Sequence, residues 1–430
     1  MDYEEKINKL AEYIRSGEKS EDEFKVGFEI EHFVVDKDSL ESTSYDANIA
    51  SIMEDMVDMG YDGIYENGNI MGLRGEGLSV SIEPASQFEV AFDSSKSIDD
   101  LFANYKKIMA EIVPLFEERG LLLAEVGYHP KSKIDEIPII PKKRYDYMYK
   151  YFADYGGSMA HNMMKGSTSL QIAIDYENEA DFRKKYFVAN ALSVFLYSVF
   201  DNSYIFEGEV YGKRNLRQTI WENCDKDRTG IYPFSFDKDL SYETYARKIL
   251  ETPSIFINRD GADIYTGTTP FSEIFDEDMS EEMIYHALSI VFPDVRAKKY
   301  LEIRMPDNVP YPYNFAGLAL IKNIFYDKDI LSYLYQEFAD MDYDMAQSLK
   351  EMATKEGINT TYKDKKIYEW VLDIIEKIKE DRKFIDPLKE LMEKQMTPRD
   401  IYESLYRKDP QKAIYEFSVN SFIKDNYGEN

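Results

Sequence analysis

Several short segments of this chain alternate apolar and polar residues with the period of two that is typical of a β-strand. In the first of them, Val26, Phe28 and Ile30 share one face. Glu29 and Glu31 share the other face. The pattern recurs in four later segments, residues 78–83, 87–92, 169–175 and 300–305. Because one buried face and one polar face are characteristic of antiparallel strands, the alternation predicts a mainly antiparallel sheet with an acidic face.

The acidic residues on these polar faces are unusually concentrated. Glu83, Glu89 and Glu302 occupy the polar side of three of the later segments. Like charges on neighbouring strands repel one another, so such a face requires a cation to hold it together. Magnesium prefers oxygen ligands and commonly bridges carboxylates to phosphates. The pattern indicates a metal site, while for any single strand a solvated polar face remains the alternative.

Charge and composition exclude several classes of partner. The chain has 52 Lys and Arg against 81 Asp and Glu, a net charge of -29, which predicts no nucleic-acid partner and no binding to an anionic membrane surface. Its single cysteine, Cys224, cannot form an internal disulfide. The sequence shows neither an apolar export signal nor a segment of membrane-spanning length. We therefore expect a cytoplasmic protein, either a monomer or a homodimer.

The organisation of the chain changes near residue 315. Residues 1–315 alternate strand-like and helix-like segments, whereas residues 316–430 form successive amphipathic helices such as 363–382 and 412–424. Since no Pro-, Gly- or Ser-rich linker divides them, the prediction is a catalytic region, 1–315, and a helical C-terminal part, 316–430, packed on the same domain. The glycines of residues 72–77 lack the strand-to-helix context of a phosphate loop and are interpreted as a turn.

The segment 216–230 combines residue types that are common in binding sites. Arg217 and Arg228 can each form paired hydrogen bonds to carboxylate or phosphate oxygens. Trp221 lies between them in the sequence. The segment is interpreted as a binding loop, and a surface turn held by tryptophan packing remains the alternative.

Four motifs together resemble the plant-type glutamate-cysteine ligase family. In order, they are V-G-F-E-I-E-H at 26–32, S-I-E-P-A-S-Q-F-E-V at 81–90, R-Q-T-I-W-E-N-C-D-K-D-R-T-G at 217–230 and Y-L-E-I-R at 300–304. The resemblance spans roughly residues 24–315. It implies an α+β, glutamine synthetase-like catalytic fold, in which a curved, mainly antiparallel sheet walled by helices forms a funnel-like active site and the C-terminal part is helical.

The resemblance also implies roles for individual residues. Arg217 would bind the carboxylate of the substrate glutamate, and Trp221 would line that pocket. Arg228 and Arg304 would steady phosphate oxygens, so that the three arginines are the expected catalytic residues. Thr168 and Gln171 would lie near substrate or nucleotide. The implied magnesium ligands are Glu29, Glu31, Glu83, Glu89 and Glu302.

The implied reaction is the ATP-dependent joining of the γ-carboxylate of L-glutamate to the amine of L-cysteine through an acyl phosphate. Its products are γ-glutamylcysteine, ADP and phosphate, and it is the first step of glutathione biosynthesis. ATP is the co-substrate, and two or more Mg²⁺ ions are expected. Replacing Glu29 or Glu302 with Gln should abolish activity and leave the fold intact or slightly more stable, because relief of carboxylate repulsion in the metal-free protein offsets the lost ligand.

Two alternatives remain open. The first is a γ-glutamyl ligase of the same fold that uses another amine, because Leu216, Cys224 and the residues 305–307 depart from the family pattern. The second is a non-catalytic protein that binds metal or glutamate, for which an acidic sheet face alone would suffice.

Overall fold

The computed structural model describes residues 1–259, 261–276 and 279–427. Its strands are β1 (Val26–Asp36), β2 (Asp62–Glu66), β3 (Asn69–Gly75), β4 (Leu78–Ile82), β5 (Phe88–Ser95), β6 (Leu121–Ala124), β7 (Leu170–Ile174), β8 (Ile205–Phe206), β9 (Glu209–Val210), β10 (Thr229–Gly230), β11 (Pro253–Arg259), β12 (Ala262–Pro270), β13 (Phe292–Pro293), β14 (Val295–Ala297), β15 (Leu301–Ile303), β16 (Thr361–Tyr362) and β17 (Lys365–Lys366).

The helices precede, separate and follow these strands. They are α1 (Tyr3–Arg15), α2 (Ala50–Asp58), α3 (Ile98–Glu117), α4 (Lys143–Tyr155), α5 (Ala160–Gly166), α6 (Glu179–Ala191), α7 (Ser193–Val199), α8 (Leu216–Glu222), α9 (Tyr242–Glu251), α10 (Phe271–Ile274), α11 (Glu281–Ser289), α12 (Tyr313–Tyr326), α13 (Lys328–Glu337), α14 (Tyr343–Glu356), α15 (Ile367–Lys377), α16 (Arg382–Glu393), α17 (Pro398–Tyr406), α18 (Pro410–Glu416) and α19 (Val419–Tyr427).

A nine-stranded open sheet organises the molecule. Its strand order is β14-β15-β7-β1-β5-β4-β3-β2, with β6 paired to β1, and the pairings within it are antiparallel. The first part of β1 pairs with β5 and β7, and its last four residues pair with β6. The two glutamates of β1 therefore lie at the centre of the sheet, and the predicted α+β fold with a mainly antiparallel sheet is confirmed.

The apolar face of the sheet packs against α3 and α12. Phe28 of β1 stacks on Phe92 of β5 with ring centroids 4.7 Å apart, and it also meets Phe315 of α12 edge-on at 5.4 Å. Ser97 caps the N-terminus of α3 by accepting a hydrogen bond from the backbone of Asp100. Aromatic pairs of this kind add to the free energy of burying their surface, so this layer stabilises the sheet from below.

The C-terminal helices pack on the same core. Phe422 of α19 contacts Tyr105 of α3 at 5.5 Å, and α12 crosses the predicted boundary at 315/316, so the division into two parts stays a prediction. The predicted helix 412–424 is instead two helices, because the chain at Phe417 and Ser418 bonds to the backbone beside β6. The predicted helix 363–382 is shorter and begins at Ile367, after the strand β17.

Two smaller findings concern the glycine-rich segment and the membrane. Residues 72–75 belong to β3, so the predicted turn is limited to Glu76 and Gly77, where a φ of +82° favours glycine. Throughout the described parts of the chain, every helix is too short or too polar to cross a bilayer.

Candidate active site

Four predicted carboxylates form a group on the polar face of the sheet, and we call Glu29, Glu31, Glu83 and Glu89 the acidic strip. Glu31 of β1 lies directly opposite Glu89 of β5, and Glu29 lies opposite Gln171 of β7. Glu83 follows the last residue of β4. All four side chains are partly buried. The structure thus brings these residues together as the alternation predicted.

Hydrogen bonds and burial determine the electrostatic surroundings of the acidic strip. Glu31 accepts from the backbone N–H of Ser169 at 2.7 Å and from the Gln171 amide at 3.0 Å, and Glu89 accepts from Ser81 at 2.5 Å. Burial raises the pKa of Glu31 to about 7, although Arg217 acts in the opposite direction. Burial and the neighbouring Glu29 raise the pKa of Glu89 well above its usual range. These carboxylates are therefore poorly compensated by the protein itself.

Glu302 belongs to the same face but has different surroundings. Its Oε2 contacts Arg296 at 2.6 Å and Arg304 at 2.8 Å, and its Oε1 lies 3.6 Å from Lys298 Nζ. Although burial raises the pKa of this carboxyl, Arg296, Lys298 and Arg304 hold it well below the usual range. Glu302 is therefore ionised and paired.

Arg296 and Lys298 were missed by the sequence analysis. Arg296 lies opposite Glu302 in the β14–β15 pairing. The signal was present in residues 295–298, where two cationic residues alternate with Val295 and Ala297 at the same period of two that revealed the acids.

Helix α8 places Arg217 and Trp221 at the end of the acidic strip. The two residues are one helical turn apart, and the Arg217 guanidinium lies 3.8 Å above the Trp221 ring. Arg217 Nε donates to the backbone oxygen of Arg304 at 3.1 Å. Among residues 1–259, 261–276 and 279–427, Arg217 Nη1 has no hydrogen-bond partner although it is buried. This donor is the kind of group that binds an anionic substrate.

A cavity of about 80 Å³ lies between α8 and the strip. Glu31, Glu83, Arg217 and Arg304 supply its charged wall. Its apolar wall comprises Pro84, Tyr145, Met148, Met163, Met164, Trp221 and Phe292. The cavity therefore combines a guanidinium for a carboxylate with an apolar surface for a small side chain.

A larger cleft of about 1300 Å³ lies beside this cavity. The hairpin β2–β3, the hairpin β11–β12 and helix α11 surround it. Arg144 lines the cleft and lies 5.1 Å from the ring of Tyr145, which lines the smaller cavity. Burial lowers the pKa of the adjacent Lys142 to about 8. The N-terminus of α4 thus brings cationic groups between the two spaces.

Two predicted site residues do not face the strip. Arg228 is fully buried and donates from Nε to Asp225 at 2.6 Å, from Nη1 to the Ile290 oxygen and from Nη2 to the Pro253 oxygen, both at 3.1 Å. Thr168 is also fully buried and donates to the Val126 oxygen at 2.6 Å. Their polar groups bond within the fold, and the expected roles at phosphate and substrate stay predictions.

Gln171 and Arg304 do face the strip. Gln171 donates to Glu31 and accepts from Arg304, which in turn contacts Glu302. Gln171 therefore connects the acidic strip to the cationic group around Glu302.

The residues that depart from the family pattern are packed in the interior. Leu216, Cys224 and Met305 are at most 1% exposed. They contribute to apolar packing, so they give no support to a different acceptor amine.

No three Asp, Glu, His or Cys side chains converge as a ready-made metal cluster within the described residues. Glu31 and Glu89 instead accept hydrogen bonds from the hydroxyls of Ser169 and Ser81. The oxygen-rich donor set itself suits a hard divalent cation such as magnesium.

Comparison with known proteins decides the family. A model of glutamate-cysteine ligase family 2 matches residues 25–405. The chain belongs to this family. Membership confirms the resemblance drawn from the four motifs and the prediction of a ligase, and ATP-dependent synthesis of γ-glutamylcysteine is the reaction of the family.

Glutamate-cysteine ligases of plants are similar to this chain over most of its length. Glutamate-cysteine ligase of Medicago truncatula is 29% identical over 424 residues, covering 94% of this chain and 83% of the relative. The Arabidopsis thaliana enzyme is 28% identical over 414 residues, covering 92% of this chain and 79% of the relative.

Both relatives are chloroplastic, as are those of Brassica juncea and Oryza sativa, which contradicts the expected cytoplasmic location. That expectation was wrong because the sequence argument depended on the lack of an apolar export signal.

A solved structure of similar fold is glutamate-cysteine ligase from Francisella tularensis in complex with AMP. It is 12% identical and has a TM-score of 0.55, and the match covers 95% of this chain and 89% of that protein. At this identity the likeness supports the fold of the glutamate-cysteine ligase family.

Proposed function

We propose that this chain uses the acidic strip, Glu302 and Arg217 to join the γ-carboxylate of L-glutamate to the amine of L-cysteine with ATP and magnesium. The observation that carries the proposal is the buried guanidinium nitrogen Nη1 of Arg217, which has no partner among the described residues and belongs to a residue that lines a small cavity at the end of a row of carboxylates. A site that only bound metal would not require this donor.

Magnesium fits the strip on the chemistry of its donors. Glu29, Glu31, Glu83 and Glu89 offer carboxylate oxygens, and burial raises the pKa of Glu29, Glu31 and Glu89, which leaves these three short of positive charge. Glu302 can join them through Oε1, since 3.6 Å from Lys298 is beyond hydrogen-bonding range. When bound, magnesium would neutralise the phosphate oxygens of ATP and allow an anionic nucleophile to approach them.

The protein contributes positioning. Arg217 would hold a carboxylate of glutamate through its free Nη1, while the Trp221 ring fixes the plane of the guanidinium. Arg304 is held by Glu302 and Gln171 and has a buried Nε for which the described residues provide no partner. It is thus available for a phosphate oxygen.

The steps follow from these placements. The γ-carboxylate oxygen of glutamate attacks the terminal phosphorus of ATP, and the bond to the ADP oxygen breaks. The amine of cysteine then attacks the acyl carbon, phosphate leaves, and the amine loses a proton. Both steps bring anions together, so fixed cationic groups supply most of the rate enhancement.

The two spaces suit the two further substrates. The larger cleft offers the volume that a nucleotide needs, next to Lys142 and Arg144. The apolar wall of the small cavity, which includes Met148, Met163 and Met164, suits the short thiol side chain of cysteine.

The test is ADP release by the purified protein with ATP, magnesium and L-glutamate, compared with and without L-cysteine. We expect release that requires cysteine, together with γ-glutamylcysteine detected by mass spectrometry. Stimulation by another amine but not by cysteine would change the acceptor. Absence of turnover with every amine tested would contradict the proposed function.

A further inference from the structure

Helix α8 has a second polar face, on the side away from the cavity. Arg217 and Trp221 occupy the face towards the cavity, whereas Gln218 and Glu222, each one position later, share the neighbouring face. Gln218 donates to the Lys350 backbone oxygen at 2.8 Å, and Glu222 lies 3.3 Å from Lys350 Nζ. One residue of α14, Lys350, therefore contacts both side chains of this face of the helix that carries Arg217.

Lys350 itself is deeply buried and paired. Its side chain is 1% exposed, and Nζ contacts Asp294 Oδ2 at 2.9 Å. Ser193 donates to the same carboxylate at 2.5 Å and Tyr197 at 2.8 Å, both from α7. A buried lysine of this kind is costly unless its partners are fixed, so the position of each partner is tightly defined.

The same aspartate also fixes the other arginine of the site. The Asp294 backbone oxygen accepts the N–H of Arg304 at 3.1 Å. The Arg304 oxygen in turn accepts from Arg217 Nε. The contacts close a ring that runs from Arg217 through Arg304, Asp294 and Lys350 back to α8.

We propose that Lys350 is a positioning residue for glutamate binding, because it holds α8 at the angle that aims Arg217 into the cavity. This inference rests on the proposed function, since it takes glutamate as the ligand of Arg217. It assigns to the C-terminal helices a part in the site, although the described side chains that line the small cavity all come from residues 31–304.

A double variant tests this without leaving a lone buried charge. K350M/D294N removes the ion pair, and the new asparagine can accept from one of the two hydroxyls of Ser193 and Tyr197 through its amide oxygen and donate to the other through its NH2 group. We expect the KM for glutamate to rise about 10-fold or more, as small misplacements of binding groups do, while the KM for ATP changes less. A KM for glutamate equal to that of the wild type would overturn the proposal.

A matched control separates positioning from loss of stability. Lys322 and Asp381 form another ion pair among the C-terminal helices, 2.9 Å long and largely buried. Asp381 has a φ of +54°, which asparagine tolerates, so K322M/D381N should lower Tm and leave the KM for glutamate unchanged. Equal increases in KM from both double variants would contradict a specific role for Lys350.

A single substitution at Glu222 tests the same contact more mildly. E222A removes the partly exposed partner of Lys350, together with its 3.2 Å hydrogen bond from Gln218 on the same helix, and should raise the KM for glutamate about 3-fold. An unchanged KM for glutamate in E222A would count against the ring.

A fluorescence experiment measures glutamate binding without turnover. In a W370F background, Trp221 is the only remaining tryptophan, and its emission on adding glutamate reports binding. Wild-type protein that binds glutamate but releases no ADP would contradict the proposed function, whereas a wild-type response from K350M/D294N would contradict the inference.

Discussion

Replacing Arg217 with lysine removes a specific geometry and keeps the charge. In the structure, the guanidinium lies 3.8 Å above the Trp221 ring, donates from Nε to the Arg304 oxygen and leaves Nη1 free. Lysine has a single nitrogen, so it cannot bond to the backbone and to a substrate in the same plane.

The magnitude follows from the bonds lost. Arg217 would give glutamate at least one charge-assisted hydrogen bond in a buried site, worth about 1.5–3 kcal/mol. At 1.4 kcal/mol for each factor of ten, R217K should raise the KM for glutamate by about 10- to 150-fold. The effect should appear mainly in glutamate binding, since the larger cleft, which we propose for ATP, lies on the other side of Tyr145.

The assay measures ADP release over a range of glutamate concentrations with ATP, magnesium and cysteine held constant. R228K is the matched control, because the donors of Arg228 already bond to Asp225, Ile290 and Pro253. It should lower Tm and leave the KM for glutamate near that of the wild type. Our reasoning fails if R217K retains the wild-type KM, or if R228K raises KM with no loss of Tm.

Three other perturbations have distinct expected results. E29Q should abolish turnover and leave the Tm of the metal-free protein unchanged or higher, because repulsion between carboxylates is relieved. E302Q should instead lower the free energy of unfolding by about 3 kcal/mol, because it leaves buried arginines unpaired, and this corrects the expectation of an intact fold for that variant. Equal Tm shifts in the two variants would contradict this contrast. Folding lowers the pKa of Lys142 from 10.5 to about 8, so between these pH values the unfolded chain binds more protons than the folded chain. The free energy of unfolding of the wild type, measured by chemical denaturation relative to K142M, should therefore rise from about pH 8 towards pH 10.5. Cys224 is 1% exposed and burial raises the pKa of its thiol, so a thiol reagent should label it only on unfolding, and rapid labelling of the native protein would show that its surroundings are open.

Strands were more predictable than contacts. The alternation in residues 26–31 places Glu29 and Glu31 on one face whatever the neighbours are, since the strand period is a local property. The fate of Arg228 depends on Asp225, which is three residues away, but also on the oxygens of Ile290 and Pro253, which no local pattern identifies. The same reason explains the break between α18 and α19.

The sequence therefore predicted some residues of the candidate site and not others. The acids and Arg217 came from patterns within single segments, whereas Lys350 lies in an ordinary amphipathic helix, where a lysine is normally a surface residue. Its burial results from tertiary packing against Asp294, 56 positions earlier in the chain. Only the folded arrangement distinguishes it from the other lysines.

The strand order has a consequence for synthesis of the chain. The acidic strip comes from residues 29–89, but the cations that act on Glu29 and Glu31 are Arg217 and three residues in the range 296–304, which the ribosome adds much later. A nascent chain thus carries a row of carboxylates before any of these cations exists. Strands β14 and β15 can join β7 only after more than a hundred intervening residues have been made, so this pairing has a high contact order and is expected late in folding. A fragment that ends before β14 should consequently remain expanded at neutral pH and become compact when acid or a divalent cation neutralises the row.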